Sequence, residues 1–453
     1  MEELSGRLRG SAGPEGLVRE LLVSLAGYEA KRKLLRCGLC DAVAKHVPNG
    51  LGLMQSARES FSLQCAQQIH AMLEAGHWCL ADPFQTRLNL DQVPLTQEAL
   101  EAALQMVRTS PQVASLSLVR CGLDDACAQQ LAAALPAMPW LTDLDLGWNH
   151  MDGPSAAAAV VSLLASCSSL RSLSLEGFAP DPDDFLAVAA ALGRHPSLES
   201  LDLSSGHFED EGAEALAASL PRRLTRLGLA GNDTYEAWPA LGAAFAACTA
   251  LKSLDLSLNE LGPALPPGLI TALGNHPSMT RLNLSCTGLG PESSAGVAAL
   301  LSGRVPLQSL DLGDNNLGPE GAMAVFEALR RRDRPLDSLL LSECGIGSEG
   351  AAALGRAIAA GAVVRHLDLS MNAIGDEAGP DLLAAAVARP ELQIVNLQRN
   401  ALTMPTMAVL NKRLNLNLAE ELQRLRRWRG ERRRLVLWRT AVGRARWPRR
   451  ELQ

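Results

Sequence analysis

From Val113 to Asn400 one pattern of hydrophobic and polar positions, Leu-x-x-Leu-x-Leu-x-x-Asn, returns at a nearly constant interval. Its clearest copies are Leu141-x-x-Leu144-x-Leu146-x-x-Asn149, Leu251-x-x-Leu254-x-Leu256-x-x-Asn259 and Leu307-x-x-Leu310-x-Leu312-x-x-Asn315. The first position falls at Val113, Leu141, Leu170, Leu198, Leu224, Leu251, Met279, Leu307, Leu336, Val364 and Leu392, so successive starts keep an almost fixed period. A degenerate copy, Arg87-Leu88-Asn89-Leu90 with Leu95 behind it, lies one period upstream. Eleven clear copies and one degenerate copy in register predict a solenoid, in which each repeat buries its apolar face on its neighbours.

Each copy changes period in its middle. Leu-x-x-Leu-x-Leu alternates as a half-buried strand does. The second half runs at helical spacing, as in Gly212-Ala213-Glu214-Ala215-Leu216-Ala217-Ala218-Ser219-Leu220, and alanine is the best helix former. Room for a strand and a full helix within each period predicts an α/β fold, with a parallel sheet on one side and helices on the other. Helices are wider than strands are far apart, roughly 10 Å against 4.8 Å. The stack must therefore bend into a horseshoe with a concave sheet and convex helices. The position eight places after the ladder start is Asn at 149, 232, 259, 315, 372 and 400, where a buried amide can satisfy backbone groups of adjacent turns. Cys121, Thr287 and Cys344 replace it tolerably, whereas Phe178 and Gly206 do not. These two misfits, followed by the two shortest spacings in the ladder, mark residues 170–250 as an irregular zone.

The runs Leu310-Asp311-Leu312-Gly313-Asp314-Asn315-Asn316-Leu317-Gly318-Pro319-Glu320-Gly321-Ala322 and Leu367-Asp368-Leu369-Ser370-Met371-Asn372-Ala373-Ile374-Gly375-Asp376-Glu377 carry a family resemblance. They resemble the ribonuclease-inhibitor class of leucine-rich repeat, which includes the sensor arms of Nod-like receptors, the Ran GTPase-activating proteins and many bacterial effectors. The resemblance covers residues 85–402 and implies a fold, not a function, because the motif residues are structural.

The chain divides by pattern into three parts: a helical amino-terminal cap over residues 1–84, repeats over 85–402, and a capping helix with a basic tail over 403–453. Leu410, Leu414, Leu418, Leu422 and Leu425 recur at helical spacing and are expected to cover the last repeat. The tail then mixes arginine with Trp and Leu in Arg426, Arg427, Trp428, Arg432, Arg433, Arg434 and Trp438. Residues 411–453 carry a balance of +10 in a chain of net charge −7, so the rest is at −17. That tail could touch anionic membrane or nucleic acid, or fold back onto the acidic horseshoe.

No run approaches the roughly 20 apolar residues of a membrane span, and the longest, Ala156 to Ala165, reads as a convex helix. Met1-Glu2-Glu3-Leu4-Ser5 is not the opening of a secretory signal. Ten scattered cysteines read as reduced thiols, so a cytoplasmic setting is expected. Cys37, Cys40, Cys65 and Cys79 with His46, His70 and His77 invite a zinc reading, but the second pair lacks knuckle spacing, and no metal or other cofactor is expected. Only five of the 42 basic residues are lysines, as a GC-rich genome or selection against ubiquitination in a host cytosol would give.

Residues two, four and six places after each ladder start share the concave face. The middle column reads Ser117, Asp145, Ser174, Asp202, Gly228, Asp255, Asn283, Asp311, Leu340, Asp368 and Asn396, with Asp143, Glu176, Asp314 and Glu343 alongside. Carboxylates stacked at strand spacing repel one another unless a cation neutralises them, so the column favours a basic protein surface. Aromatics are scarce, and Trp148, His150, Phe178, His207, Tyr235 and Trp238 are expected to gather as an anchoring patch at the irregular zone.

Walker, Gly-x-Ser-x-Gly and His-Glu-x-x-His motifs are all missing. The expectation is a non-enzymatic scaffold that binds a basic protein partner in its concavity and takes no small-molecule substrate, in the setting of a bacterial effector exported into host cytosol. The alternatives are a regulator of a small GTPase or other enzyme, although Ran GTPase-activating proteins carry acidic tails, and an F-box-like ubiquitin-ligase adaptor, whose expected Leu-Pro opening is missing from residues 14–46.

Overall fold

Leucine alternation builds one sheet. In the computed structural model, which describes residues 86–417, twelve short strands pair in sequence order and all run parallel. They are β1 (Arg87–Asn89), β2 (Ser115–Ser117), β3 (Asp143–Asp145), β4 (Ser172–Ser174), β5 (Ser200–Asp202) and β6 (Arg226–Gly228), then β7 (Ser253–Asp255), β8 (Arg281–Asn283), β9 (Ser309–Asp311), β10 (Leu336–Leu340), β11 (Val364–Asp368) and β12 (Ile394–Asn396). Leucine faces leucine across the ladder, from Leu88 opposite Leu116 to Leu339 opposite Leu367. These central leucines are buried while their strand neighbours on the other face stay half-exposed. The degenerate copy at Arg87 is a full member of the sheet.

Each strand is followed by a helix packed on the helix of the next repeat. In order these are α1 (Gln97–Thr109), α2 (Asp125–Ala134), α3 (Pro154–Ser166), α4 (Pro182–Arg194), α5 (Glu209–Ser219) and α6 (Trp238–Ala247), then α7 (Pro267–Gly274), α8 (Ser294–Ser302), α9 (Gly318–Arg330), α10 (Gly347–Ala360) and α11 (Gly379–Ala388). Helix starts are marked by side-chain caps at Thr96 and Asp124 and by proline in the first turn of α3, α4 and α7. The apolar run at 156–165 falls within α3 and buries Ala156, Ala157, Val160, Leu163 and Leu164. Among the described residues no helix is long and apolar enough to cross a membrane.

The asparagine at the strand exit binds two repeats together. Asn315 Oδ1 accepts from the Thr287 N–H at 3.1 Å and the Leu289 N–H at 3.0 Å. Its Nδ2 donates to the Leu284 carbonyl at 2.8 Å and the Leu312 carbonyl at 2.9 Å. Asn149 and Asn372 repeat the arrangement, each donating into the preceding repeat and accepting from the backbone of Cys121 or Cys344. These backbone groups are buried, so leaving each unpaired would cost about 1–3 kcal/mol.

Where the asparagine is missing, aromatic rings take over. Phe178 is buried at the exit of β4, and Phe185 stacks on Phe208 with ring centroids 4.7 Å apart. Gly206 lies so close beneath that a Cβ there would stand 3.0 Å from the Phe178 carbonyl oxygen. The next turn holds three non-glycine residues at positive φ, namely Ser205, His207 and Glu209.

After the last strand, residues 404–417 are helical. Leu410 and Leu414 are buried there, and they line one space with Leu382, Ala386, Leu392 and Leu397. Asn417 Nδ2 donates to the Ala386 and Leu392 carbonyls at 2.9 and 2.8 Å. Leu418, Leu422 and Leu425, the Arg/Trp tail and the proposed amino-terminal cap with its cysteines lie outside the described residues.

Candidate protein-binding face

The side chains at the second and fourth ladder positions project from the sheet on the side away from the helices. The fourth position has a structural duty first. Oδ1 of Asp145, Asp202, Asp255, Asp311 and Asp368 accepts the N–H two residues on, at 2.9 to 3.1 Å. Asn283 and Asn396 do the same through their amide oxygens. Each closes the strand with an Asx turn, which explains why this position is so often Asp or Asn.

The register corrects one expectation. Aspartates do not stack at strand spacing: they occupy β3, β5, β7, β9 and β11, with Ser174, Gly228, Asn283 and Leu340 on the strands between. Neighbouring carboxylates are thus two strands apart, about 9.4–9.8 Å along the sheet. Asn283 Nδ2 donates to the second oxygen of Asp255 at 3.1 Å, and Asn396 Nδ2 to that of Asp368 at 2.9 Å. The second oxygens of Asp145, Asp202 and Asp311 accept no hydrogen bond among the described residues. None of the five enters an ion pair there.

The field of this row is felt locally. Burial, and then the charges of Asp255, Asp314 and Asp368, push the Asp311 carboxyl above its ordinary range, against the Gly313 N–H that favours the charged form. Glu176, at the sixth position of the β4 repeat, is raised by burial and by Asp202, while its hydrogen bond from Trp148 acts the other way. Asp143 is held by the Thr142 hydroxyl at 2.6 Å.

A second line of residues, one place before the asparagine, runs along the strand exits. Arg120, Trp148, Ser205, Leu258, Cys286, Asp314, Glu343, Met371 and Arg399 all have φ between 53° and 59°, in the left-handed region. Such a backbone costs roughly 1–2 kcal/mol per residue. It persists because the N–H bonds the next repeat, as from Asp314 to the Ser342 carbonyl at 2.8 Å. Asp314 and Glu343 belong to this line, not to the alternating columns, and both are exposed. In the sequence the line is legible only as the position preceding the asparagine.

Trp148 sits on the same line, 40% exposed, with the Arg120 guanidinium 5.2 Å from its ring centre. Gly177 lies against the ring at φ +76°, where a Cβ would come within 3.0 Å of it. Arg120, Trp148 and Glu176 therefore form one cluster beside Asp145 and Asp202. The wider aromatic patch does not assemble. Phe178 and Trp238 are buried, the first as filler for the missing asparagine and the second in the first turn of α6. His150 and Tyr235 are exposed, and His207 pairs with Asp233 at 2.6 Å. Arg426, Arg427, Trp428, Arg432, Arg433, Arg434 and Trp438 lie outside the described residues. Among those described, no group of side chains could hold a metal ion, and Cys121, Cys127, Cys167, Cys248, Cys286 and Cys344 are free.

The Leucine Rich repeat family matches six segments, residues 137–158, 194–217, 247–264, 306–326, 333–355 and 363–379. Those matches fall on strand-and-helix units, each long enough to hold a full helix behind its strand. The chain thus carries leucine-rich repeats, and their strand-plus-helix units are similar to those of the ribonuclease-inhibitor type. Human NACHT, LRR and PYD domains-containing protein 12 is similar to it, 29% identical over 201 residues, covering 42% of this repeat protein and 19% of the relative. Bovine Tonsoku-like protein is 29% identical over 187 residues, covering 40% and 11%. The repeat protein thus spans less than a fifth of the length of these relatives. Among solved structures, the yeast Rad7 and Elc1 complex matches with a TM-score of 0.47 at 15% identity, covering 89% of this chain and 91% of that chain. The leucine-rich repeat-containing protein LegL7 from Legionella pneumophila matches with a TM-score of 0.40 at 19% identity, covering 72% and 97%. Leucine-rich repeats of this kind are protein-interaction scaffolds.

Proposed function

We propose that the inner face of the sheet is the docking surface for a protein partner with a basic surface, and that the scaffold itself performs no chemistry. The observation that carries this reading is the uncompensated row of Asp145, Asp202, Asp255, Asp311 and Asp368, five carboxylates without an ion pair among the described residues on an otherwise half-exposed face. A fixed row of like charges on a rigid sheet raises the rate of encounter with a cation and suppresses anionic partners. The Arg120, Trp148 and Glu176 cluster supplies an aromatic anchor at one end, of the kind that concentrates binding energy.

The test places a photo-crosslinking residue at Ser253, on the inner face of β7, or at Arg356, on the exposed side of α10. A partner docked as proposed is trapped from Ser253 and not from Arg356, and capture is lost in the D202N/D255N/D311N variant. Equal trapping from both positions, or capture indifferent to the three aspartates, removes this face from consideration.

A further inference from the structure

The inner face sets a row of aspartates beside two arginines. Asp145, Asp202, Asp255, Asp311 and Asp368 stand at the fourth ladder position of alternate strands, while Arg226 and Arg281 stand at the second position of two strands between them, β6 and β8. Arg226 is exposed and forms no ion pair among the described residues; Arg281 is exposed and reaches only the Ser253 hydroxyl, at 3.4 Å. The two positions are about 6.6 Å apart along the strands. A broad patch of positive charge would gain from the aspartate row and from Asp143, which shares the second position on β3, but would be repelled by Arg226 and Arg281 on either side of Asp255. Complementarity therefore demands a narrow occupant whose cations keep to the aspartate row, running across the strands.

The spacing of the row selects the backbone conformation of that occupant. Alternate strands are about 9.4–9.8 Å apart. An α-helix returns a side chain to the same face after two turns, about 10.5 Å, which is already too long. An extended β-strand offers same-face spacings of about 6.6 Å and 13 Å, neither of which fits. A polyproline II helix has three residues per turn and a rise of about 3.1 Å, so every third side chain returns at about 9.3 Å. Only this last periodicity keeps phase over five aspartates.

We propose that the row from Asp145 to Asp368 receives an extended, polyproline II segment of a partner protein that carries one lysine or arginine in every three residues. Three of the receiving carboxylates, Asp145, Asp202 and Asp311, each keep one oxygen free of protein hydrogen bonds among the described residues, while Asp255 and Asp368 share theirs with Asn283 and Asn396. The two arginines set the width of the track and exclude cations from the neighbouring residues of the segment. This inference rests on the inner-face docking reading and adds to it the repeat length and conformation of what is bound.

The experiment uses the full chain and two labelled peptides with five lysines each, in fluorescence anisotropy at physiological salt. One repeats Lys-Pro-Pro, in which every residue before proline is held near the polyproline II conformation. The other repeats Lys-Pro-Pro-Pro, which moves the lysines to about 12.4 Å and off a common face. The triplet peptide is expected to bind at least tenfold more tightly, and that advantage is expected to vanish in the D202N/D255N/D311N variant. Asparagine keeps the Asx turn at these positions, as Asn283 and Asn396 do, so the variant retains the fold, checked by circular dichroism. Affinities within twofold of each other in the native chain overturn the spacing inference. If both peptides then weaken alike in the variant, the docking reading survives without it. If neither peptide binds, the segment inference is overturned, and the crosslinking from Ser253 decides the docking reading by itself.

Discussion

Between β8 and β9 the turn after the strand is closed by one amide, whereas between β4 and β5 it is closed by rings. Asn315 satisfies two N–H groups and two carbonyls of two successive repeats. Phe178, Phe185 and Phe208 fill the corresponding space with hydrocarbon and hand the remaining polar work to Asn232, whose Oδ1 accepts the Gly206 N–H at 2.8 Å. An amide that must reach four fixed backbone groups constrains the turn, and the spacing is uniform to within one place from Leu251 onward. Aromatic packing is not directional in the same way, and the two shortest spacings start at Leu198, directly after it. The difference teaches that amide closure goes with uniform spacing from Leu251 onward, whereas the shortening falls on the two repeats that follow the ring-closed turn at Phe178, whose own repeat keeps the regular length.

The sharpest way to break that comparison is to truncate both devices. Asn315→Ala strands four buried backbone groups, at about 1–3 kcal/mol each, and is expected to destabilise by on the order of 5 kcal/mol. Phe208→Ala is expected to cost less, about 3–4 kcal/mol, the ordinary loss for a buried phenylalanine. Rescue separates them further. Phe208→Leu should recover roughly half of its deficit, since volume is most of what the site asks for. No apolar residue at 315 should recover anything. Urea midpoints for the variants check the order, and a leucine at 315 that restored stability would remove the polar explanation of the amide-closed turn.

The fold was legible because leucine spacing reports burial directly, and burial dictates both the strand and the helix of each repeat. The asparagine role was legible for the same reason: a polar side chain inside an apolar ladder must be satisfying something. Less of the candidate site could be read. The columns and their alternation of Asp with other residues follow from the ladder, but the structure was needed to see that Asn283 and Asn396 take the second oxygens of Asp255 and Asp368. The left-handed line through Trp148, Asp314 and Glu343 carries no residue preference that betrays it, since the neighbouring repeat's carbonyl compensates the strain. Phe178 and Trp238 look like surface anchors in the sequence because aromatics are rare; local packing demand places both inside. The turns Cys167-Ser-Ser-Leu170 with His195-Pro-Ser-Leu198, and Cys248-Thr-Ala-Leu251 with His276-Pro-Ser-Met279, are twins that the leucine ladder does not mark.

Those twins extend the comparison to pH. Both histidines place Nε2 3.1 Å from the cysteine carbonyl of the preceding repeat. On the regular side, His276 Nδ1 also accepts the Met279 N–H at 3.1 Å, which fixes a neutral ring; in the irregular zone the nearest such donor to His195 is the Ser197 N–H at 3.5 Å. Burial is the main cause holding the His276 pKa below its ordinary 6.5, against the two backbone hydrogen bonds that raise it. Below 6.5 the unfolded chain takes up a proton that the folded one refuses. Stability is thus present in full above that value and lost as pH falls beneath it. Melting curves from neutral pH down to mildly acid pH should show a loss attributable to this ring. His276→Gln should flatten that part of the profile while lowering stability at neutral pH, and an unchanged slope would show that the ring is not the titrating group.

The smallest expected effect sits on the inner face and has the opposite sign to the rest. At Asp311, burial and the charges of Asp255, Asp314 and Asp368 oppose ionisation. Asp311→Asn keeps the acceptor for the Gly313 N–H and removes the charge, so it should stabilise the free protein at neutral pH by less than about 1 kcal/mol. Because the folded carboxyl binds its proton more readily than the unfolded one, that gain should shrink as pH falls through the carboxylate range and disappear once both forms are protonated. Asp255 provides the contrast. Its second oxygen already accepts from Asn283, so an amide there sets donor against donor and costs stability. Paired thermal melts of the two variants distinguish an open, unneutralised row from one balanced within the chain. If Asp311→Asn lost stability as Asp255→Asn does, the row would be satisfied internally and would have no unmet charge to offer a partner.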